Sequence, residues 1–184
     1  MEQSKKKEII SWAKTIGITV GIAFIVRGIL FTPSLVQGES MMPTLETNER
    51  VLVNKIGYNM QGLNRFDIVV FHGKEGHDLV KRVIGLPGDT IEYKNDVLYV
   101  NGKSVDEPYL ADYKEKVGTG ELTPDFTLKQ KTGKTKVPEG QVFVLGDNRP
   151  VSKDSRMFGF VSEDQIVGKG EVVFWPLQQV RTLE

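Results

Sequence analysis

The sequence reads as a mostly β body carried behind one amino-terminal transmembrane helix. Three observations lead there: a long apolar run preceded by lysines, a change after Gly38 to short alternating runs bounded by turn residues, and no long stripe at helical spacing in the body. With 184 residues the chain fits one domain plus an appendage. Its hydrophobic share of 39% is ordinary for a chain that buries a core, so disorder throughout is excluded. The absence of cysteine excludes disulfides, thiol nucleophiles and cysteine-held metals. His72 and His77, the only histidines, are too few for a histidine-rich metal site.

Residues 1–14 read as a short basic cytoplasmic tail and residues 15–33 as the anchor. From Thr15 to Val36 the chain runs TIGITVGIAFIVRGILFTPSLV, with Arg27 its only charge. A spanning helix needs about 20 mostly apolar residues. Lys5, Lys6 and Lys7 place the amino terminus in the cytoplasm, Trp12 and Lys14 suit the interface, and Arg27 can snorkel to the far headgroups. A cleaved secretory signal also begins this way, but Leu35-Val36-Gln37-Gly38 is not a small-residue cleavage site. A buried core helix is the other alternative, and the lysine cluster speaks against it. Charge is distributed accordingly. Residues 1–30 hold five cations against Glu2 and Glu8, while the whole chain is neutral, so the remainder is slightly acidic. A body of that charge has no electrostatic footprint for nucleic acid.

Residues 34–184 are then the extracytoplasmic domain. Strands are expected at 50–55, 66–71, 79–85, 90–94, 97–100, 142–145 and 171–175, all short and rich in valine, isoleucine and aromatics. Asn95-Asp96 is a two-residue hairpin signal and Asn101-Gly102 a second tight turn. Residues 106–137 are polar, lysine-rich and broken by glycine and proline, which predicts a surface insertion.

With no cysteine and few histidines, nucleophilic chemistry must draw on serine, threonine, lysine or carboxylates. In Leu79-Val80-Lys81-Arg82-Val83-Ile84, alternation puts Lys81 with Leu79 and Val83, and Arg82 with Val80 and Ile84. Whichever face is buried, one cation shares it. Desolvation would lower the pKa of a lysine so placed and let it accept a proton from a serine. The plainer alternative is a cation that caps or snorkels over an exposed face. Gly38-Glu39-Ser40-Met41-Met42-Pro43-Thr44 offers a serine on a constrained segment just beyond the membrane exit, or simply a linker turn. The stretch Gly146-Asp147-Asn148-Arg149, continuing to Ser152, Asp154, Ser155 and Arg156, is dense in hydrogen-bonding groups. It also fits an ordinary turn with surface ion pairs.

Taken together, QGESMMPTL (37–45), RVLVNK (50–55), RFDIVVF (65–71), VKRVIGLPGD (80–89) and GDNRPVSKDSRMFG (146–159) resemble the type I signal peptidases in order and spacing. These are membrane-bound serine proteases that remove signal peptides from exported proteins. The small size and single span are similar to the Gram-positive branch. The resemblance implies coiled antiparallel sheets, Ser40 as nucleophile, Lys81 as general base, and Ser152 orienting the lysine amine. It implies support from Asp147, Arg149, Asp154 and Arg156, with Arg82 paired to one of the aspartates. Val36, Met41, Leu79 and Val80 would line shallow pockets for the small residues of an A-x-A site. Gram-negative relatives often carry a serine two residues before the nucleophile. Here Gly38 stands there, so the oxyanion hole should rest on backbone N–H groups, chiefly that of Ser40. Implied partners are preproteins bearing signal peptides, membrane lipid and the export translocon, with no nucleic acid, metal or organic cofactor. Two rivals remain: a self-cleaving Ser/Lys regulator, which would carry a DNA-binding module, and an anchored β-domain that binds peptide or wall material.

Overall fold

The computed structural model describes residues 5, 8, 10–21, 31–55, 62–73, 76–118 and 120–183. Among the described residues, twelve strands fall in two antiparallel sheets. The first six are β1 (Phe31–Leu35), β2 (Arg50–Asn54), β3 (Ile68–His72), β4 (Asp78–Gly85), β5 (Ile91–Lys94) and β6 (Val97–Val100). The others are β7 (Lys103–Val105), β8 (Phe126–Thr127), β9 (Gln141–Leu145), β10 (Val161–Ser162), β11 (Ile166–Trp175) and β12 (Arg181–Thr182). The large sheet is ordered β1-β2-β11-β3-β4-β9-β10, with β12 added on β11; the small one is ordered β7-β6-β5-β8.

The small sheet forms as its turns dictate. Asn95 and Asp96 join β5 to β6, and both take positive φ, 51° and 58°. Asn101 and Gly102 repeat that geometry between β6 and β7. Two consecutive left-handed residues make the type I′ turn that matches the natural twist of a hairpin.

β11 is twice the length expected from 171–175. Its first half contains Gly168, Lys169 and Gly170, which hide the alternation. The glycines are needed there, since a Cβ at Gly168 would overlap the Asn54 carbonyl oxygen on β2. β11 lies between β2 and β3 and pairs with one on each edge, with register shifts of the kind a β-bulge makes on both sides.

Residues 106–137 are only partly the surface insertion expected. The helix Ala111–Val117 lies on the outside, but Leu110, Leu122, Thr123, Phe126, Leu128 and Val137 are buried. Phe126, Leu128 and Val137 pack with Ile84, Tyr93 and Phe143 in the cluster that binds the small sheet to the large one. Isolated apolar residues between lysines show no periodicity, yet each fills a gap in that cluster.

The expected anchor meets the structure at both ends. Residues 10–21 are helical, and Ile10, Trp12, Ile16, Ile18 and Val20 are all exposed, so this part is not a core helix. The Thr15 and Thr19 hydroxyls donate to the carbonyls of Ser11 and Thr15, one turn back. Residues 22–30 lie outside the described residues. Phe31, Thr32 and Pro33, the last three of the expected span, belong instead to β1 and pair with Asn54, Val53 and Leu52. Among the described residues no helix is long and apolar enough to cross a membrane.

Candidate active site

Three pieces of chain meet: the turn after β1, the middle of β4, and the loop that follows β9. Both faces of β4 are buried, so Lys81 and Arg82 both point into protein, with relative exposures of 3% and 0%. Alternation left open which cation is interior; the structure makes both so and separates them by partner. The Arg82 guanidinium donates from Nε (3.0 Å) and a terminal nitrogen (2.8 Å) to the Asp147 carboxylate. It also donates to the Phe66 carbonyl and lies 3.8 Å over the Tyr109 ring. No carboxylate lies within ion-pair distance of Lys81 among the described residues. Its Nζ contacts the Ser40 hydroxyl at 2.7 Å and the Val80 carbonyl at 2.9 Å. Burial lowers its pKa from 10.5 to about 8, with Asp154 and Asp147 pulling in the opposite direction.

The turn that presents Ser40 is anchored at several points. Gly38 enters it with φ +83°, a left-handed conformation that disfavours any side chain. The Val36 N–H donates to the Glu49 carbonyl, and the Thr47 hydroxyl donates to the Gly38 carbonyl. The Thr44 hydroxyl donates to Asp147, so one carboxylate ties the serine turn to β4 through Arg82. On the other side, the backbone N–H of Asn148 donates to the Ser40 carbonyl (3.1 Å) and its side-chain amide to the Glu39 carbonyl (3.0 Å). Gly146 makes this closeness possible, because a Cβ there would overlap the Ser152 hydroxyl and the Ser40 carbonyl oxygen.

The loop itself is braced from within. Asp154 accepts from the Gly146 N–H and from Arg156, whose guanidinium also donates to the Arg149 carbonyl. Ser155 accepts from the Val144 N–H. Arg149 is buried and donates to Glu107, Thr123, Tyr93 and Tyr109. Burial pushes both phenol pKa values up, so these tyrosines stay neutral and can accept from it. Asp147, Arg149, Asp154 and Arg156 are thus each tied in by side-chain hydrogen bonds, and Arg82 pairs with Asp147.

Two expectations fare differently. Ser152 is buried in the same loop, but its hydroxyl has no hydrogen-bond partner among the described residues, so the expected bond to the lysine amine is not formed. Of the four pocket residues, Val36 and Met41 are 3% and 1% exposed and share a cluster with Val80, whereas Leu79 packs in another cluster with Val69 and Val83. Sequence reasoning did not single out Thr44, Glu107, Tyr113 or Asn148 as site residues. Of these, only Asn148 and Thr44 carried a signal, since they lie within GDNR and QGESMMPTL.

An antiparallel β body that presses a serine hydroxyl against a buried amine is of the serine peptidase class. Residues 9–175 match the family "Signal peptidase, peptidase S26". A Signal peptidase I of Bacillus caldolyticus is 53% identical over 97% of either chain. A Signal peptidase IB of Staphylococcus aureus (strain COL) is 50% identical over 96% of this chain and 94% of its own. The crystal structure of a signal peptidase I from Enterococcus faecalis V583 matches at 50% identity and a TM-score of 0.56, over 58% of this chain and 95% of that one. The chain belongs to the signal peptidase family, peptidase S26, and within it to the bacterial type I enzymes.

Proposed function

We propose that Ser40 and Lys81 are the catalytic pair with which this peptidase removes amino-terminal signal peptides from preproteins. The observation that carries the reading is the 2.7 Å approach of the Ser40 hydroxyl to an amine whose burial lowers its pKa to about 8. Relative to an ordinary lysine, that pKa raises the neutral fraction at pH 7 by about 300-fold. Neutral Lys81 takes the hydroxyl proton as Ser40 Oγ bonds to the scissile carbonyl carbon, whose π pair moves onto oxygen. The tetrahedral species collapses with loss of the C–N bond, and the lysinium protonates the departing amine of the mature protein. Water, giving a proton to Lys81, then attacks the ester carbonyl; the acyl–Oγ bond breaks, the lysinium returns its proton to Ser40 Oγ, and the signal peptide leaves as its carboxylic acid.

An extended substrate has a place to lie. β9 pairs with β4 only at Arg82, Val83 and Gly85, so residues 78–81 pair with β3 alone among the described residues. A preprotein segment added along that open edge would pass beside Lys81. Leu79 and Val80, both half-buried there, would supply shallow contacts for small side chains, with Val36 and Met41 in the cluster beside Val80. Ser152 would orient the amine by a hydrogen bond to it, a role for which its buried hydroxyl has no competing partner among the described residues. The oxyanion would be held by backbone N–H groups, that of Ser40 first.

The same reading places the protein in the cell membrane by one span, its amino terminus cytoplasmic and its catalytic domain outside, with lipid and the translocon as neighbours. Five exposed apolar side chains on residues 10–20 support it, because such a helix is poorly suited to water. The span would end before Phe31, where the backbone enters the β1–β2 ladder. Anchoring raises the effective concentration of a substrate whose own apolar segment lies in the same bilayer.

The detergent-solubilised protein should convert a preprotein to one shortened product cut after a small residue, and Ser40→Ala should yield none. Full cleavage by Ser40→Ala, read by mass spectrometry, would show that another residue is the nucleophile. The rate should also climb with pH through a midpoint of about 8, where Lys81 loses its proton. A midpoint at the free-lysine value of about 10.4 would contradict a desolvated base.

A further inference from the structure

We propose that Asn148 and Tyr113 are positioning residues that aim the Ser40 N–H at the oxyanion. The inference rests on the reading of Ser40 as nucleophile. Gly38 offers no side-chain donor to the oxyanion, so what holds the main-chain donor in place matters more here than where a serine helps.

The Ser40 N–H belongs to the same peptide unit as the Glu39 carbonyl. That unit is planar and trans, so its oxygen and its N–H point in opposite directions. Asn148 donates its side-chain amide to the Glu39 oxygen at 3.0 Å, and the Met42 N–H donates to the same oxygen at 3.2 Å. Fixing the oxygen fixes the direction of the N–H, which turns away from Asn148 and has no acceptor among the described residues. Hydrogen bonds to the carbonyl also polarise the unit and strengthen its N–H as a donor. The Asn148 amide is itself set by Tyr113, whose hydroxyl donates to Asn148 Oδ1 at 2.8 Å and leaves the NH2 end facing Glu39. Tyr113 lies on the helix Ala111–Val117, inside the lysine-rich segment 106–137. That segment thereby reaches the reaction centre through one phenol and one amide, 35 residues apart in the chain.

The deletion is clean in principle. The backbone N–H of Asn148 still holds the Ser40 carbonyl when the side chain is truncated, so the turn keeps its attachment. In the full-length detergent-solubilised protein, Asn148→Ala should lower kcat for a preprotein by about 100-fold, the loss typical of an oxyanion donor. KM and the midpoint of the pH profile should not move. Affinity for a peptide aldehyde ending in alanine, which forms a hemiacetal with the serine hydroxyl, should fall by the same factor as kcat. Tyr113→Phe should move both readouts in the same direction by a smaller amount. Wild-type kcat in both variants, or a loss of kcat with aldehyde affinity intact, overturns the proposal. If Asn148→Ala does not fold, Tyr113→Phe decides on the same two readouts. A wild-type protein that cleaves no preprotein would sink the underlying function as well, which separates the two failures.

Discussion

Lys81→Met is expected to abolish preprotein cleavage, by at least about 10⁴-fold as for loss of the base in other serine peptidases, while making the folded protein more stable at neutral pH. The two effects have one cause. In the native state the amine is buried, without a carboxylate partner, and titrates at about 8; in the unfolded chain it returns to 10.5. Between those values the unfolded state binds the extra proton, so the wild-type unfolding free energy rises with pH. Below about 8 the native state carries the whole penalty of a desolvated charge, about 3 kcal/mol. Methionine fills similar space and carries no charge. The gap between Met variant and wild type should therefore be widest near pH 7 and close as pH rises through 8 toward 10.5. Urea unfolding at several pH values measures it. Parallel curves for the two proteins would mean that the amine is not desolvated.

Asp147→Ala should cost about 3–5 kcal/mol of stability, the usual result of breaking a buried ion pair by removing one partner. Arg82 and Asp147 are both fully enclosed, and Asp147 is the carboxylate to which Arg82 donates twice. Its loss also frees the Thr44 hydroxyl and loosens the Ser40 turn from β4. The double variant Arg82→Met with Asp147→Leu removes both charges and should recover most of the stability. A second consequence is electrostatic. Asp147 is one of the two carboxylates that raise the lysine pKa, so without it the pH–rate midpoint should fall below about 8. Chemical denaturation of the single and double variants, with the pH profile of any residual activity, tests both parts. A cost under about 1 kcal/mol, as for a surface pair, would show that the charges are not enclosed.

How much of this was legible beforehand depended on how local each cause was. Asn95-Asp96 and Asn101-Gly102 specify their hairpins because the turn chemistry lies wholly within the two residues. The unbroken apolar runs IVVF on β3 and VFVL on β9 announce buried strands for the same reason. β1 was obscured because apolar residues 15–36 read as one run, and nothing local shows where a helix gives way to a strand. The first half of β11 was hidden by glycines whose purpose is contact with a strand more than a hundred positions earlier. Of the site, Ser40 and Lys81 were visible as an odd serine and a cation in an apolar run, sharpened by several motifs in register. Asn148 was visible only as a member of one of those motifs, and Tyr113 not at all, since a phenol in a lysine-rich segment looks like any exposed tyrosine until its partner is seen.

Residue order alone settled the hairpins, most of the strands and the presence of two cations on one strand, because these follow from neighbours in the chain. Folding decided which cation would be paired with a carboxylate and which would be left beside the Ser40 hydroxyl. It also decided that the segment at 106–137 would contribute to the core and brace the serine turn. Those outcomes depend on where groups 35 to 103 positions apart come to rest. Charge burial and hydrogen-bond distance are set by that three-dimensional neighbourhood.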